Sequence, residues 1–207
     1  LDDTAVLLEQ LTTATLGSSG IDRLSCREAF ARHAAVDLAE ADADGLAEAA
    51  VRARIELPQG WESDPEPLRF DRLFELLLSE AVAPQLGYER PVMLEAWPSS
   101  QAAFARLDPC DPTVARRFEL FASGVELVNG WEEETSAAEL CRRISDANAV
   151  RAADGRSPLP VPENLIAAHG EAMPEGVGAA LGFDRLVMLA TGSSTIDNVR
   201  CFSSDTA

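Results

Sequence analysis

The stretch Phe118-Glu-Leu-Phe-Ala-Ser-Gly-Val-Glu-Leu-Val-Asn-Gly-Trp-Glu-Glu133 decides how the chain is read. Residues 118–121 and 125–128 are rich in aromatic and β-branched side chains, and Ser123-Gly124 lies between them, the pattern of a two-residue β-hairpin. With those two residues as the loop, Ala122 pairs with Val125, Phe121 faces Glu126 and Glu119 faces Val128. Paired residues, and residues two apart on one strand, share a face of a sheet. Glu119 and Glu126 therefore fall on one face. Two neighbouring carboxylates repel unless a proton or cation lies between them, and Mg²⁺ shared with substrate phosphates meets that need. A solvated acidic face is the competing reading, since 35 of the 207 residues are Asp or Glu.

Beyond the second strand comes Asn129-Gly-Trp-Glu-Glu133. Gly130 permits a sharp bend, and the expectation is that it aims Asn129 and Glu133 into a cavity, where an amide and a carboxylate suit a substrate ammonium. A polar loop after a hairpin is the plainer alternative. Further on, Gly178-Ala-Ala-Leu-Gly182-Phe-Asp-Arg185-Leu-Val-Met-Leu189 reads as a strand of small residues followed by a helix. Small residues let a ligand approach the strand backbone. Arg185, near the helix start, suits a phosphate or a base, with Leu186, Val187 and Leu189 buried beneath it. Structural packing explains the same pattern.

Outward from this core the chain divides in two. Residues 1–88 read as helical: Val6, Leu7, Leu8 and Leu11 sit at helical spacing before Gly17, Ser25-Cys-Arg-Glu28 is a capping box, and 42–55 is Ala-rich. Leu68, Leu73, Phe74, Leu77, Leu78 and Val82 form an apolar stripe that stops near Pro84. Residues 89–207 carry the sheet: a strand at 91–97, the hairpin, a helix from Ser136 to about Ala153, a strand at 176–182 and a helix at 183–190. An antiparallel sheet flanked by helices makes the chain α+β, one domain over 1–207.

The net charge is −18 and all 17 basic residues are Arg. Such a surface repels polyanions, which excludes strong non-specific nucleic-acid binding. No apolar run approaches the roughly 18 residues of a membrane span, and the first residues lack a signal-peptide pattern, so a cytoplasmic location is expected. The four cysteines form no Cys-x-x-Cys pair and there are two His, which argues against structural zinc. Buried, reduced thiols are expected.

The order Glu119, then Glu126-Leu-Val-Asn129-Gly-Trp-Glu-Glu133, then Gly178 to Arg185 resembles the class II lysyl-tRNA synthetases, and the last segment looks like their motif 3. The resemblance covers about residues 70–204. It implies a class II catalytic fold in which Glu119 and Glu126 hold Mg²⁺ and ATP, Leu127 abuts the nucleotide, and Asn129 and Glu133 hold lysine. It also implies that Arg185 is the catalytic arginine contacting ATP above Gly182. Pro98-Ser-Ser-Gln-Ala-Ala103 and the motif 3 segment are most similar to the paralogues that attach (R)-β-lysine to elongation factor P. Ala180 stands where the tRNA-charging enzymes carry Gly, so Gly178 and Ala180 are expected to shape a narrowed amino-acid pocket.

That family dimerises through motif 1 and binds the α-phosphate through a motif 2 arginine, and neither motif is recognisable here. The expectation is a domain incomplete at its N-terminus, with 1–88 as a helical insertion region, weak or inactive alone. Trp131 replaces an aromatic residue of the family, and Glu132 replaces a small residue or His and is expected to disturb the pocket. The implied function is ATP-dependent activation of lysine or β-lysine as an adenylate and its transfer to elongation factor P, with tRNA the less suited acceptor. A piece of a true lysyl-tRNA synthetase and a non-catalytic paralogue lacking motif 2 are the alternatives.

Overall fold

The hairpin forms at the expected residues. Ser123 and Gly124 both have positive φ, 51° and 74°, as a type I′ turn requires, and this turn matches the twist of the strands it joins. The computed structural model describes residues 1–202 and, within them, every side chain but those of 170–172. The resemblance expected to reach about residue 204 therefore ends outside the described residues.

Seven α-helices and five strands are described: α1 (Asp2–Leu16), β1 (Asp22–Ser25), α2 (Cys26–His33), α3 (Ala43–Arg52), α4 (Glu66–Leu77), β2 (Val92–Pro98), β3 (Val114–Ala122), β4 (Val125–Glu132), α5 (Ala137–Ala153), α6 (Glu163–Ala172), β5 (Val177–Leu181) and α7 (Phe183–Ala190). The strands form one sheet in the order β1-β2-β3-β4-β5. The pairs from β2 to β5 are antiparallel, while β1 joins β2 in parallel. β1 is a four-residue strand within the first 88 residues, too short for its periodicity to stand out among helical patterns. α6 was also not legible; its apolar residues Leu165 and Ile166 are not buried.

Local chemistry sets the helix boundaries. Gly17, left-handed at φ 69°, ends α1. Ser25 and Glu28 form the full capping box of α2. At α5 half of that device is used: the Ser136 hydroxyl accepts from the Glu139 N–H, but the Glu139 carboxylate turns to Arg142 and Arg143. The apolar stripe of α4 continues as a π-helical turn at Leu78–Val82 and a 3₁₀ turn at Ala83–Gln85 before Gly87.

The sheet separates two cores. One face carries Leu94, Trp97, Ala115 and Phe121 against α2, α3 and α4, where Phe30 and Phe74 stack. The other carries Met93, Phe118, Leu120, Leu127 and Val128 against α1 and α7. On α1 the buried residues are Ala5, Leu8 and Thr12, while Val6 and Leu7 are 55% and 63% exposed. α7 is not the buried helix expected: Leu186 alone is buried, Val187 and Leu189 are half-buried, and Phe183 is 66% exposed. Of the cysteines only Cys26 is buried; Cys110, Cys141 and Cys201 are exposed, and all four are free thiols. No helix among the described residues is long and apolar enough to cross a membrane.

The hairpin tip docks on 86–87. Ser123 and Gly124 donate their N–H groups to the carbonyls of Gly87 and Leu86, both at 2.8 Å. Gly87 has φ 82°, and a Cβ there would stand 2.5 Å from the Phe121 carbonyl oxygen. Gly17 has the same left-handed geometry with open space around it. G87A is expected to cost roughly 3 kcal/mol, from backbone strain plus a clash with backbone, and G17A only about 1 kcal/mol, from strain alone. Urea unfolding of both variants checks this; equal losses would show that docking of the hairpin tip adds nothing.

Candidate active site

The site is built on the β3–β4 ladder, and the ladder is not regular. Ala122 pairs with Val125 and Phe121 with Glu126, as the two-residue loop demands, but Leu120 pairs with Val128. Leu127 is therefore an extra residue in β4, a β-bulge. Glu119 consequently faces Asn129 and not Val128, which corrects the expected register. Leu127 and Val128 both enter the second core, and Asn129 passes to the face that carries Glu119 and Glu126. One row now crosses four strands: Leu94, Glu119, Asn129, Ala180. The next row on that face is Arg117, Trp131, Gly178.

A second bulge flanks Glu119 on its other side. Glu95 pairs with Phe118 and Trp97 with Ala115, so Ala96, at φ 53°, opposes both Arg116 and Arg117. Arg117 lies there part-buried, its guanidinium carbon 3.9 Å from the centre of the Trp97 ring. Its Nη2 donates to Glu119 Oε1 at 2.5 Å, Nη1 to the Gln101 carbonyl at 3.1 Å and Nε to Asn129 Oδ1 at 3.5 Å. Glu119 is buried to 6% exposure. Burial pushes its pKa up from 4.5 to about 7; the Arg117 charge opposes the rise, and Glu126 and Glu75 add to it. Desolvation of the carboxylate outweighs the ion pair.

The face opens into a cleft of about 770 Å³ lined by α4, the turn at Ser99–Gln101 and the ladder. Asp71, Glu75 and Ser79 stand at intervals of four along this wall, facing Arg117, Asn129 and Trp131. Gln101 Nε2 donates to Asp71 at 2.7 Å. The pKa values of Asp71 and Glu75 are both raised, chiefly by burial. Trp131 Nε1 donates to Glu133 Oε2 at 2.8 Å, and a Cβ on Gly178 would come within 2.8 Å of Glu133 Oε1. The bare glycine is what leaves space for that carboxylate.

Gly130 is not a bend. It sits within the ladder, paired with Phe118 and Ala179. A Cβ there would meet the Phe118 ring at 2.4 Å and the Gly178 carbonyl at 2.7 Å, so the glycine serves close packing. Glu132 does not disturb the pocket: it points away from the cleft row and pairs with Arg116 at 3.0 Å and Arg106 at 3.3 Å.

At the far end of the ladder Arg185 Nη1 donates to the Glu126 carbonyl at 2.9 Å and to its carboxylate at 3.3 Å. Gly182 donates its N–H to the Leu127 carbonyl at 2.8 Å. The Leu127 side chain lies in the second core, so what it offers the site is backbone. The structure thus joins the expected residues into two groups on one sheet: Asn129, Glu133, Gly178 and Ala180 along β4 and β5, and Glu126, Leu127, Gly182 and Arg185 at the β4–α7 junction. Glu119 is electrostatically coupled to Glu126. No cluster of three metal-ligating side chains occurs among the described residues. The donor set fits a hard cation held by two carboxylates and completed by phosphate oxygens. Sequence reasoning missed Arg117, Asp71, Glu75 and Gln101. Arg117 had a signal, its spacing of two from Glu119 along one strand; the α4 carboxylates were hidden beside the apolar stripe.

The family model of the tRNA synthetases class II (D, K and N) matches residues 5–206, which include every strand of this sheet and the β5–α7 junction. The chain belongs to this family. It is 39% identical over 200 residues to the elongation factor P–(R)-β-lysine ligase of Edwardsiella ictaluri, covering 97% of this chain and 60% of the relative. The ligase of the same name from Photorhabdus laumondii is 38% identical over 196 residues, 95% and 59% respectively. The chain thus spans about 60% of the length of these curated relatives.

Two outcomes follow from this geometry. G130A is expected to destabilise the fold by about 1–3 kcal/mol through overpacking against Phe118; an unchanged urea midpoint would show that the ring yields freely. For Glu119, a folded-state pKa raised from 4.5 to about 7 means the folded chain binds that proton more tightly. Its contribution to stability is full below pH 4.5 and is lost as pH rises through 7. E119Q removes this slope, on the order of 2–3 kcal/mol across the window, whatever constant offset comes from unpairing Arg117. Urea unfolding in metal-free buffer from pH 4.5 to 8 measures it, and a wild-type-minus-variant difference that stays flat would refute the assignment.

Proposed function

We propose that this chain forms the nucleotide and amino-acid floor of a ligase that activates lysine or β-lysine with ATP and passes it to elongation factor P. The observation that carries the reading is the row Glu119–Asn129–Ala180, with Glu126 on the same face and bonded to Arg185. The relatives named as (R)-β-lysine ligases support the substrate and acceptor.

In this reading Glu119 and Glu126 hold Mg²⁺, which when bound neutralises phosphate charge. Arg185, anchored on the Glu126 carbonyl and half-exposed, keeps further N–H donors for the nucleotide. Leu127 and Gly182 supply backbone beneath it. Asn129 and Glu133 hold the amino acid, and the Ala180 methyl, opposite Asn129, narrows its space in favour of β-lysine. The substrate carboxylate attacks the α-phosphorus in line and pyrophosphate leaves, so positioning and charge neutralisation suffice without a general base. A net charge of −18 favours a protein acceptor over tRNA. A family homodimer and a cytoplasmic location belong to the same reading.

Mg²⁺-dependent pyrophosphate exchange with lysine and β-lysine tests it. Exchange is expected to prefer β-lysine and to fall by about 100-fold or more in R185A, the scale of one lost charge-stabilising contact. Residues 1–207 alone are expected to exchange weakly, because no motif 2 arginine is among them. Absence of Mg·ATP binding by the protein that contains this chain would sink the ligase reading.

A further inference from the structure

Arg117 is part-buried in the floor of the cleft, and each side of its fork is in use. Nη2 holds Glu119 Oε1, Nε holds Asn129 Oδ1, and Nη1 holds the Gln101 carbonyl. Its guanidinium carbon lies over the ring of Trp97. Trp97 is itself fully buried, with Nε1 donating to the Leu94 carbonyl at 3.1 Å. These anchors come from β2, β3, β4 and the turn at Ser99–Gln101, so the guanidinium has one orientation. The bulge that sets Arg116 and Arg117 against Ala96 aims it there, as bulges beside sites commonly do.

An Asn side chain has one oxygen to accept and one NH₂ to donate. With Oδ1 turned to Arg117, the Asn129 Nδ2 remains for the cleft that Asn129 lines. Glu119 likewise has Oε1 engaged and Oε2 left over. We propose that Arg117 is a positioning residue of the ligand site, holding Asn129 so that it offers N–H donors to an acceptor group of the substrate and holding Glu119 so that one carboxylate oxygen is kept for a cation. This rests on the ligase reading for the identity of the ligands but not for the geometry. The polarity of the site is set from below: Arg117 lines the cleft floor but has its N–H groups turned to protein acceptors, so it acts through Asn129 and Glu119. Lysine at this position would keep the charge but not the fork, because a single ammonium cannot meet three acceptors in different directions with planar geometry.

R117K therefore separates orientation from charge. The first readout needs no ligand. In ¹⁵N-labelled protein the Asn129 side-chain amide is expected to give two well-separated resonances in wild type, and in R117K to shift and broaden as the amide gains rotational freedom. The second is calorimetric affinity for Mg·ATP and for β-lysine, measured on the protein that shows exchange. R117K is expected to weaken both by about tenfold, the worth of one charge-assisted contact, while the thermal midpoint moves by only a few degrees. An Asn129 amide unchanged in R117K overturns the proposal. So does unchanged affinity in R117K when wild type binds. A loss of affinity that tracks a large fall in thermal midpoint, with the Asn129 signals intact, assigns Arg117 a structural role and overturns it too. If wild type binds neither ligand, the ligase reading fails, and the amide signature still decides whether Arg117 orients Asn129.

Discussion

The single extra residue in β4 is the constraint on which the site depends. Without the bulge at Leu127, strict alternation would place Val128 opposite Glu119 and turn Asn129 toward the second core. With it, Leu127 and Val128 both contribute to that core, and Asn129 emerges opposite Glu119. The device costs one ladder pairing and gains two things at once, apolar burial behind the sheet and a polar row in front. Glu126 keeps its place because it precedes the extra residue. The same bulge frees the Leu127 carbonyl to accept from Gly182, which pins the start of α7 and hence Arg185. Both groups of the site are therefore referenced to one backbone irregularity.

The second constraint is the pair of part-buried Arg117 and buried Glu119. Such a pair contributes little net stability, since desolvation of two charges offsets their attraction, whereas removal of one partner strands the other. Here the balance tips against the carboxylate, whose pKa rises to about 7 in spite of the arginine. What the pair gives is direction, because a guanidinium with acceptors on three edges and the Trp97 ring beneath it is held in one orientation.

Much of this was legible because the signals were local. Ser123-Gly124 sets the turn, Gly17 and Ser25 set helix ends, and the order of Glu119, Glu126, Asn129, Glu133 and Arg185 carried the family. What was not legible depended on pairing across strands. A bulge leaves no mark in period-two alternation when, as at 125–128, both readings place apolar residues acceptably. Gly130 looked like a bend because its reason lies in the Phe118 ring, twelve positions earlier in sequence. Glu132 looked like a pocket residue because its partners, Arg106 and Arg116, approach from other segments. The buried helix expected at 183–190 failed for a related reason: composition is apolar there, but among the described residues its partners are α1, β4 and the turn at Ile196–Asn198, and they bury Leu186 alone.

In the proposed reading, the charges around the cleft favour ligands that arrive together. Arg72 is tied to Asp64 at 2.5 Å, Arg117 to Glu119 and Arg185 to Glu126. Each cation near the site is thus already paired, while Glu75 and Asp71 add negative charge from the α4 wall. In that reading a nucleotide triphosphate entering alone would bring more negative charge to a region whose arginines, Arg185 included, are already shared with carboxylates. A divalent cation between Glu119 and Glu126 would, in the proposed reading, reverse that sign locally, and lysine or β-lysine, with two ammonium groups and one carboxylate, would bring a net single positive charge toward Glu133 and the α4 wall. The raised carboxylate pKa values are the same fact seen from the protein side: groups held close and desolvated, whose charge is relieved either by protons or by cationic ligands. Metal, nucleotide and diamine would in that reading support one another's binding through charge, before any movement of the fold.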